Sequence, residues 1–255
     1  MADDRRARPG RGRAGRPLTG LADARPGLRR RRARDRWRRL RPAMVAGGVL
    51  ALVIALVVVV WFTPAFSLRR VSVEGTSLLT TAEVEQRAAA PLGRPLVRVD
   101  LQQLSDRVAT LPEVASVKVS QEWPSSVRIE VVERTARVQR VEGSTYQWVD
   151  ASGTIFHTQT TASPKLVVVN TPSTDKRLLR DLATVSTALT PTLRAQVLGI
   201  KAQTPDAITL TLKGGRSIVW GSADESATKA KVATALLQVK ATVYDVSSPA
   251  NPTSR

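Results

Sequence analysis

Apolar and polar positions follow three different patterns along this chain. From Ala43 to Phe62 there is no alternation: the 20 residues carry no polar side chain except the Trp61 indole. At about 1.5 Å per residue, a helix of that length reaches roughly 30 Å, the thickness of a bilayer's hydrocarbon core. A long helix buried in a soluble domain shows a polar stripe, and a signal peptide has a shorter apolar stretch behind a shorter basic start. Neither description fits, so the pattern predicts a retained transmembrane helix over 43–62. Trp61 and Phe62 at one end and Trp37 near the other stand where interfacial aromatics belong.

From residue 67 the period changes. Leu68, Val71 and Val73 predict a strand over Ser67–Glu74, ended by Gly75. Thr80 and Glu83 have capping-box spacing, with Leu79 and Val84 as a hydrophobic staple, which predicts a short helix to about Ala89. Pro91, Gly93 and Pro95 interrupt the chain. Asp100 and Gln103, flanked by Val99 and Leu104, repeat the same signature, and Leu101, Leu104, Val108 and Leu111 form one helical face. Val117 and Val119, then Val127, Ile129 and Val131, alternate with polar residues on either side of Glu122–Ser125, an antiparallel hairpin with one wet face. Neither helix can bury its face alone, so both are expected on the dry side of a three-stranded sheet.

Residues 136–246 hold a second set of elements. Strands over 138–141 and 146–149 flank Glu142-Gly143-Ser144, and Asp150 and Gly153 carry turn chemistry. An apolar strand, 166–169, precedes a helix with Leu178, Leu182, Val185 and Leu189 on one face, expected to end at Pro191. A meander follows over 197–202, 207–212 and 216–220, then a helix with Ala230, Ala233, Leu236 and Leu237 inward, then a strand at Val243–Val246. The last residues, 247–255, are polar and contain Pro, and are expected to be a disordered tail.

Charge sharpens this outline. The whole chain carries +18, a value that suggests a nucleic-acid binder. However, 16 Arg and four Asp fall in residues 1–42, so +12 of the total belongs to that arm. The arm is rich in Arg, Gly, Pro and Ala and is expected to be disordered. Its Gly10-Arg11-Gly12-Arg13-Ala14-Gly15 matches G-x-G-x-x-G but lacks the strand and helix that a dinucleotide site needs. Ten Arg lie in 24–42, against Arg69 and Arg70 in 63–82. That bias places the N-terminus in the cytoplasm and everything from about residue 63 outside. Arg29, Arg30, Arg31, Arg32, Arg38, Arg39 and Arg41 are then expected to set topology and meet anionic head groups, at about 1 kcal/mol each. No nucleic-acid role is needed to explain the charge.

The chain has no Cys and one His, His157, which excludes disulfides, thiolate chemistry and multi-histidine metal sites. Nucleophile-elbow, phosphate-loop and zincin motifs are absent, so no catalytic residue, cofactor or metal is expected and the protein is read as a non-enzyme.

The βααββ order just after a membrane helix resembles a POTRA domain. Leu111-Pro112-Glu113-Val114, Trp123-Pro124 and Ile129–Arg134 resemble the Leu-Pro-x-Val turn, Trp-Pro turn and terminal Glu-Arg pair of the FtsQ (DivIB) division family. Gln121-Glu122 departs from it, since Arg is expected near the Trp-Pro turn. Val149–Phe156 is similar to the family's Val-Asp-x-x-Gly-x-x-Phe turn. Trp220-Gly221, Lys229 and the closing Asp245-Val246 follow in the family's order. The excess of Arg over Lys, 31 to 8, points to a GC-rich genome and an actinobacterial type.

The resemblance implies an α+β fold: a single transmembrane helix, then a POTRA domain, then a mixed β-domain with two helices. The expected boundaries are 1–42 for the tail, 43–62 for the helix, 66–135 for the POTRA domain, 136–246 for the β-domain and 247–255 for the terminal tail. It also implies a divisome scaffold at the cell membrane and septum that recruits the membrane coiled-coil proteins FtsB (DivIC) and FtsL. Through them it would influence septal peptidoglycan synthesis. A last strand over Thr242–Val246 with an open edge suits strand addition by a partner, with Val243, Tyr244 and Asp245 as contacts and Trp220 nearby. Two other classes remain open on sequence: a POTRA-bearing transport or assembly component, and a membrane-anchored nucleic-acid or signalling protein acting through the Arg-rich arm.

Overall fold

The computed structural model describes Arg25–Arg255, with side chains from Arg41 onward except those of Val60, Phe62 and Pro64. The G-x-G-x-x-G match and the arm before Arg25 lie outside the described residues, as do the side chains of Arg29, Arg30, Arg31, Arg32, Arg38 and Arg39.

Helix α1 runs Arg25–Phe62 and includes Pro42. It therefore starts before the expected membrane segment, within the stretch expected to be disordered. Arg and Ala are strong helix formers, and once apolar residues propagate a helix, continuing it backward costs little. Arg41–Val59 is long and apolar enough to cross a membrane, and none of it is buried in protein.

A second compact unit spans Pro64–Arg255 and contains two sheets. The first is formed by β1 (Arg70–Glu74), β2 (Val114–Glu122) and β3 (Ser126–Glu133), in the order β1-β3-β2. β1 lies parallel to β3, with Val71 opposite Val127 and Val73 opposite Ile129. β2 lies antiparallel to β3, with Val119 opposite Ile129. Helices α2 (Thr81–Ala88) and α3 (Leu101–Ala109) connect β1 to β2. Val84, Ala88, Leu104 and Val108 from the helices meet Val127, Ile129 and Val131 from the sheet in one fully buried core. Each buried Val, Leu or Ile side chain contributes about 1.5–3 kcal/mol. The capping box forms at α2: the Glu83 amide donates to Thr80 Oγ1 at 3.2 Å, and the Thr80 amide to Glu83 Oε2 at 2.7 Å. At α3 only half of the expected box is present, the Gln103 amide donating to Asp100 Oδ1 at 3.0 Å.

The second sheet has nine strands: β4 (Ala136–Glu142), β5 (Thr145–Asp150), β6 (Ile155–Gln159), β7 (Val167–Asn170), β8 (Val197–Ala202), β9 (Ile208–Leu212), β10 (Ser217–Gly221), β11 (Val243–Asp245) and β12 (Thr253–Ser254). Their spatial order is β12-β11-β10-β9-β8-β7-β4-β5-β6. Parallel pairs β4–β7 and β7–β8 sit inside the sheet, and α4 (Lys176–Ala188) supplies the crossover from β7. α4 packs on β4, β5 and α6 (Ser226–Leu236), burying Leu178, Leu179, Leu182 and Val185 against Val138, Val149, Ile200 and Leu210. Thr209, Thr211 and Lys201 alternate to the other side, as one wet face requires.

A third helix was not expected. Pro191 ends nothing; it opens α5 (Pro191–Gln196), with Thr190 Oγ1 accepting the Leu193 amide at 3.2 Å. Proline fits the first helical position because its missing N–H would be unsatisfied there in any case.

Two side chains at the end of β3 fasten this architecture. Glu133 accepts the amides of Ser77, Leu78 and Leu79 at 2.8–2.9 Å, holding the loop before α2. Burial opposes its charge, but these donors outweigh burial and hold its pKa below the usual range. Arg134 reaches both sheets: its Nε donates to the Pro112 carbonyl at 3.0 Å and its Nη1 stands 2.6 Å from Asp150 Oδ2.

Candidate partner-binding edge

The end of the nine-stranded sheet is built on β10. Ile218 and Trp220 point into the core, and the Trp220 indole N–H donates to Ser226 Oγ at 3.2 Å. Gly221 then turns the chain at φ +74°, a conformation L side chains rarely adopt, and a Cβ there would lie 2.9 Å from Ser247 Cβ. The small residue lets the chain leaving β10 pass close to the end of β11. α6 crosses beneath. Its Lys229 is almost fully buried and donates to the Ser222 carbonyl at 3.0 Å. Burial lowers the Lys229 pKa, with Asp224 and Glu225 acting against that effect.

β11 pairs parallel to β10, with Tyr244 opposite Ile218. Tyr244 is fully buried, and its hydroxyl donates to the Val239 carbonyl at 2.8 Å. Of the four side chains expected at the contact, Tyr244 and Trp220 thus belong to the core. Val243 and Asp245 are half-buried and stand on the outward side of the strand. Asp245 accepts the amide and hydroxyl of Ser247 at 2.9 and 2.7 Å, which hold its carboxyl below the usual range.

The outer edge of β11, expected to be open, is occupied by the chain's own C-terminus. Residues 247–255 turn back, and β12 pairs antiparallel, with Tyr244 opposite Ser254 and Asp245 opposite Thr253. The amides of Thr242 and Val243 both donate to the Arg255 carbonyl at 2.9 Å, and the Arg255 amide returns a bond to the Val243 carbonyl. The stretch expected to be a disordered tail is therefore a strap on the edge. Two paired residues with exposed side chains present no alternation to detect, whereas an exposed row of unpaired amides is something a sheet covers when chain is available.

His157 sits 3.5 Å from Glu113 and packs against Trp148 with ring centroids 5.1 Å apart, so it links the two sheets. Among the described residues, no group of three or more His, Asp or Glu is placed to hold a metal ion.

Comparison with known proteins bears on this arrangement. A family model described as "POTRA domain, FtsQ-type" matches residues 66–134, and one described as "Cell division protein FtsQ/DivIB, C-terminal" matches 136–247. The cell division protein FtsQ of Streptomyces venezuelae is 37% identical over 243 residues, covering 91% of this chain and 89% of that protein. FtsQ of Mycolicibacterium smegmatis is 38% identical over 222 residues, covering 86% of this chain and 66% of that protein. The extracytoplasmic domain of the division protein DivIB from Geobacillus stearothermophilus aligns with TM-score 0.33 and 14% identity over 42% of this chain and 98% of that one.

Proposed function

Because this chain belongs to the FtsQ/DivIB family of cell-division proteins, we propose that it is a non-enzymatic scaffold of the divisome that recruits partners by strand addition at β11. The parts of the scaffold are a basic cytoplasmic segment, the membrane-crossing portion of α1, a POTRA domain over 66–135 and a β-domain over 136–246. Arginine bias supports an inside N-terminus, with Arg29 to Arg41 against anionic lipid. The partners are the coiled-coil division proteins FtsB (DivIC) and FtsL, and through them the septal peptidoglycan synthases.

The observation that carries this reading is the direction of the Val243 amide. It points away from β10 and toward the edge, where Arg255 now accepts it. A partner strand running along β11 would take over that donor and the Val243 carbonyl, displacing the short β12. Main-chain hydrogen bonds would supply affinity, at about 0.5–1.5 kcal/mol net each, and Val243 and Asp245 would supply side-chain contacts. Trp220 and Tyr244 act from beneath, fixing the position of β11. The test is co-purification of FtsB or FtsL with the full chain and with Val243→Pro. Proline is tolerated on an edge whose N–H faces outward, so the fold survives while the donor is lost. Loss of co-purification is expected; full retention overturns strand addition at β11.

A further inference from the structure

Large apolar side chains are exposed at one end of the first sheet: Trp123, in the β2–β3 turn, is 53% exposed, and in the connection between α2 and α3 Leu92 is 64% and Val97 36% exposed. Three segments meet there. Leu68 and Arg94 are joined backbone to backbone at 2.8 Å, as are Gly93 and Leu68, and Ser67 bridges Pro95. The Arg69 amide donates to the Ser125 carbonyl at 2.8 Å, and Gln121 Nε2 to the Leu96 carbonyl at 3.0 Å. Phe66 packs edge-on against Trp123 with centroids 6.0 Å apart. The same segments carry Arg70 and Arg94, both exposed. The nearby carboxylate, Glu122, is already committed to Arg128.

We propose that this face, Phe66, Leu92, Val97 and Trp123 rimmed by Arg70 and Arg94, docks on the lipid head groups of the membrane that α1 crosses. Two observations choose lipid as the occupant. Phe66 follows Phe62, the last residue of α1, by four residues. An extended chain covers about 3.3–3.6 Å per residue, so Phe66 lies within about 14 Å of the helix end, inside the reach of the interface. The composition is also that of an interfacial surface: an amphipathic indole, aliphatic side chains and guanidinium groups that pair with phosphate. A face of this kind would limit how the first sheet tilts above the bilayer and so set the direction in which the β11 edge is offered.

The inference rests on α1 spanning the membrane, and the experiment separates the two. The chain has no native Cys, so the full-length protein takes a single label through Leu92→Cys or, as control, Lys213→Cys. Each is labelled with bimane and reconstituted in nanodiscs containing phosphatidylglycerol and a head-group-proximal doxyl lipid. Co-elution with nanodiscs reports the span. Quenching at residue 92 at least threefold greater than at residue 213, and falling at least twofold in Arg70→Gln/Arg94→Gln, is expected. Equal quenching of the two labels in co-eluting protein overturns lipid docking alone. Failure to co-elute overturns the span and the docking together.

Discussion

Arg134 and Asp150 form an ion pair at 2.6 Å that joins the end of the first sheet to the β5–β6 turn of the second. Both are largely buried, and each is held by further bonds: Arg134 by the Pro112 carbonyl, Asp150 by the Ser152 and Thr154 amides at 2.8 and 2.9 Å. Removing one partner leaves the other charge without compensation, which costs more than the pair contributes. Arg134→Ala is therefore expected to lower the stability of a fragment starting at residue 64 by about 2 kcal/mol. Urea denaturation with two spectroscopic probes checks this. A change within error would show that the pair is dispensable.

The same carboxylate sets a pH dependence. Burial opposes the charge on Asp150, but hydrogen bonds from Ser152, Thr154 and Arg134 outweigh it and lower its pKa; Glu133 behaves alike with the Ser77, Leu79 and Leu78 amides. A carboxyl whose folded pKa lies below its unfolded value stabilises the fold above the unfolded value, about 4. That contribution is lost as pH falls through the folded pKa. The contribution of Asp150 and Glu133 should be fully present from pH 7 to about pH 5 and be lost below about pH 4. Asp150→Asn should flatten the acid limb while lowering the plateau, as read from melting temperature against pH.

Gly153 tests the same corner sterically. It sits at φ +81°, and a Cβ there would lie 2.1 Å from the Lys176 carbonyl oxygen and 2.8 Å from the Arg180 amide nitrogen at the start of α4. Neither is a flexible side-chain end. Gly153→Ala should destabilise by about 3 kcal/mol or more, combining the left-handed penalty with displacement of α4. Gly143→Ala, with positive φ but open space around it, should cost about 1 kcal/mol.

The strap predicts a competition. β12 holds the edge through two paired residues and the Arg255 bonds. Deleting residues 248–255 leaves Ser247 on Asp245 and removes the competing strand. If the partner displaces β12, its affinity should rise about tenfold, equivalent to one or two net hydrogen bonds. A fall instead would identify β12 as the strand onto which the partner adds. Titration calorimetry with a peptide from the partner's strand-forming segment distinguishes the two.

Much of this protein can be read locally. The membrane-length helix is a matter of twenty apolar residues, and the caps at Thr80 and Asp100 are bonds between residues three apart. The β2–β3 hairpin is legible because its alternation has the period of a strand. Local spacing misled at Pro191, where the proline read as a helix end instead opens α5, α4 having already ended at Ala188. The family motifs Glu133-Arg134 and Asp150–Gly153 were visible as residues, but their mutual contact was not, since 16 positions separate Arg134 from Asp150.

What the sequence determined alone is therefore the type and order of most elements, because those depend on periodicity and on neighbours within one turn. The tertiary structure decided three other things. It sent Trp220 and Tyr244 into the core, closed the β11 edge with residues 253–254, and packed the half-buried Phe66 edge-on against the exposed Trp123. Each depends on which distant segment fills a given space or takes a given amide. That is settled by competition across the whole fold, and no local pattern records it.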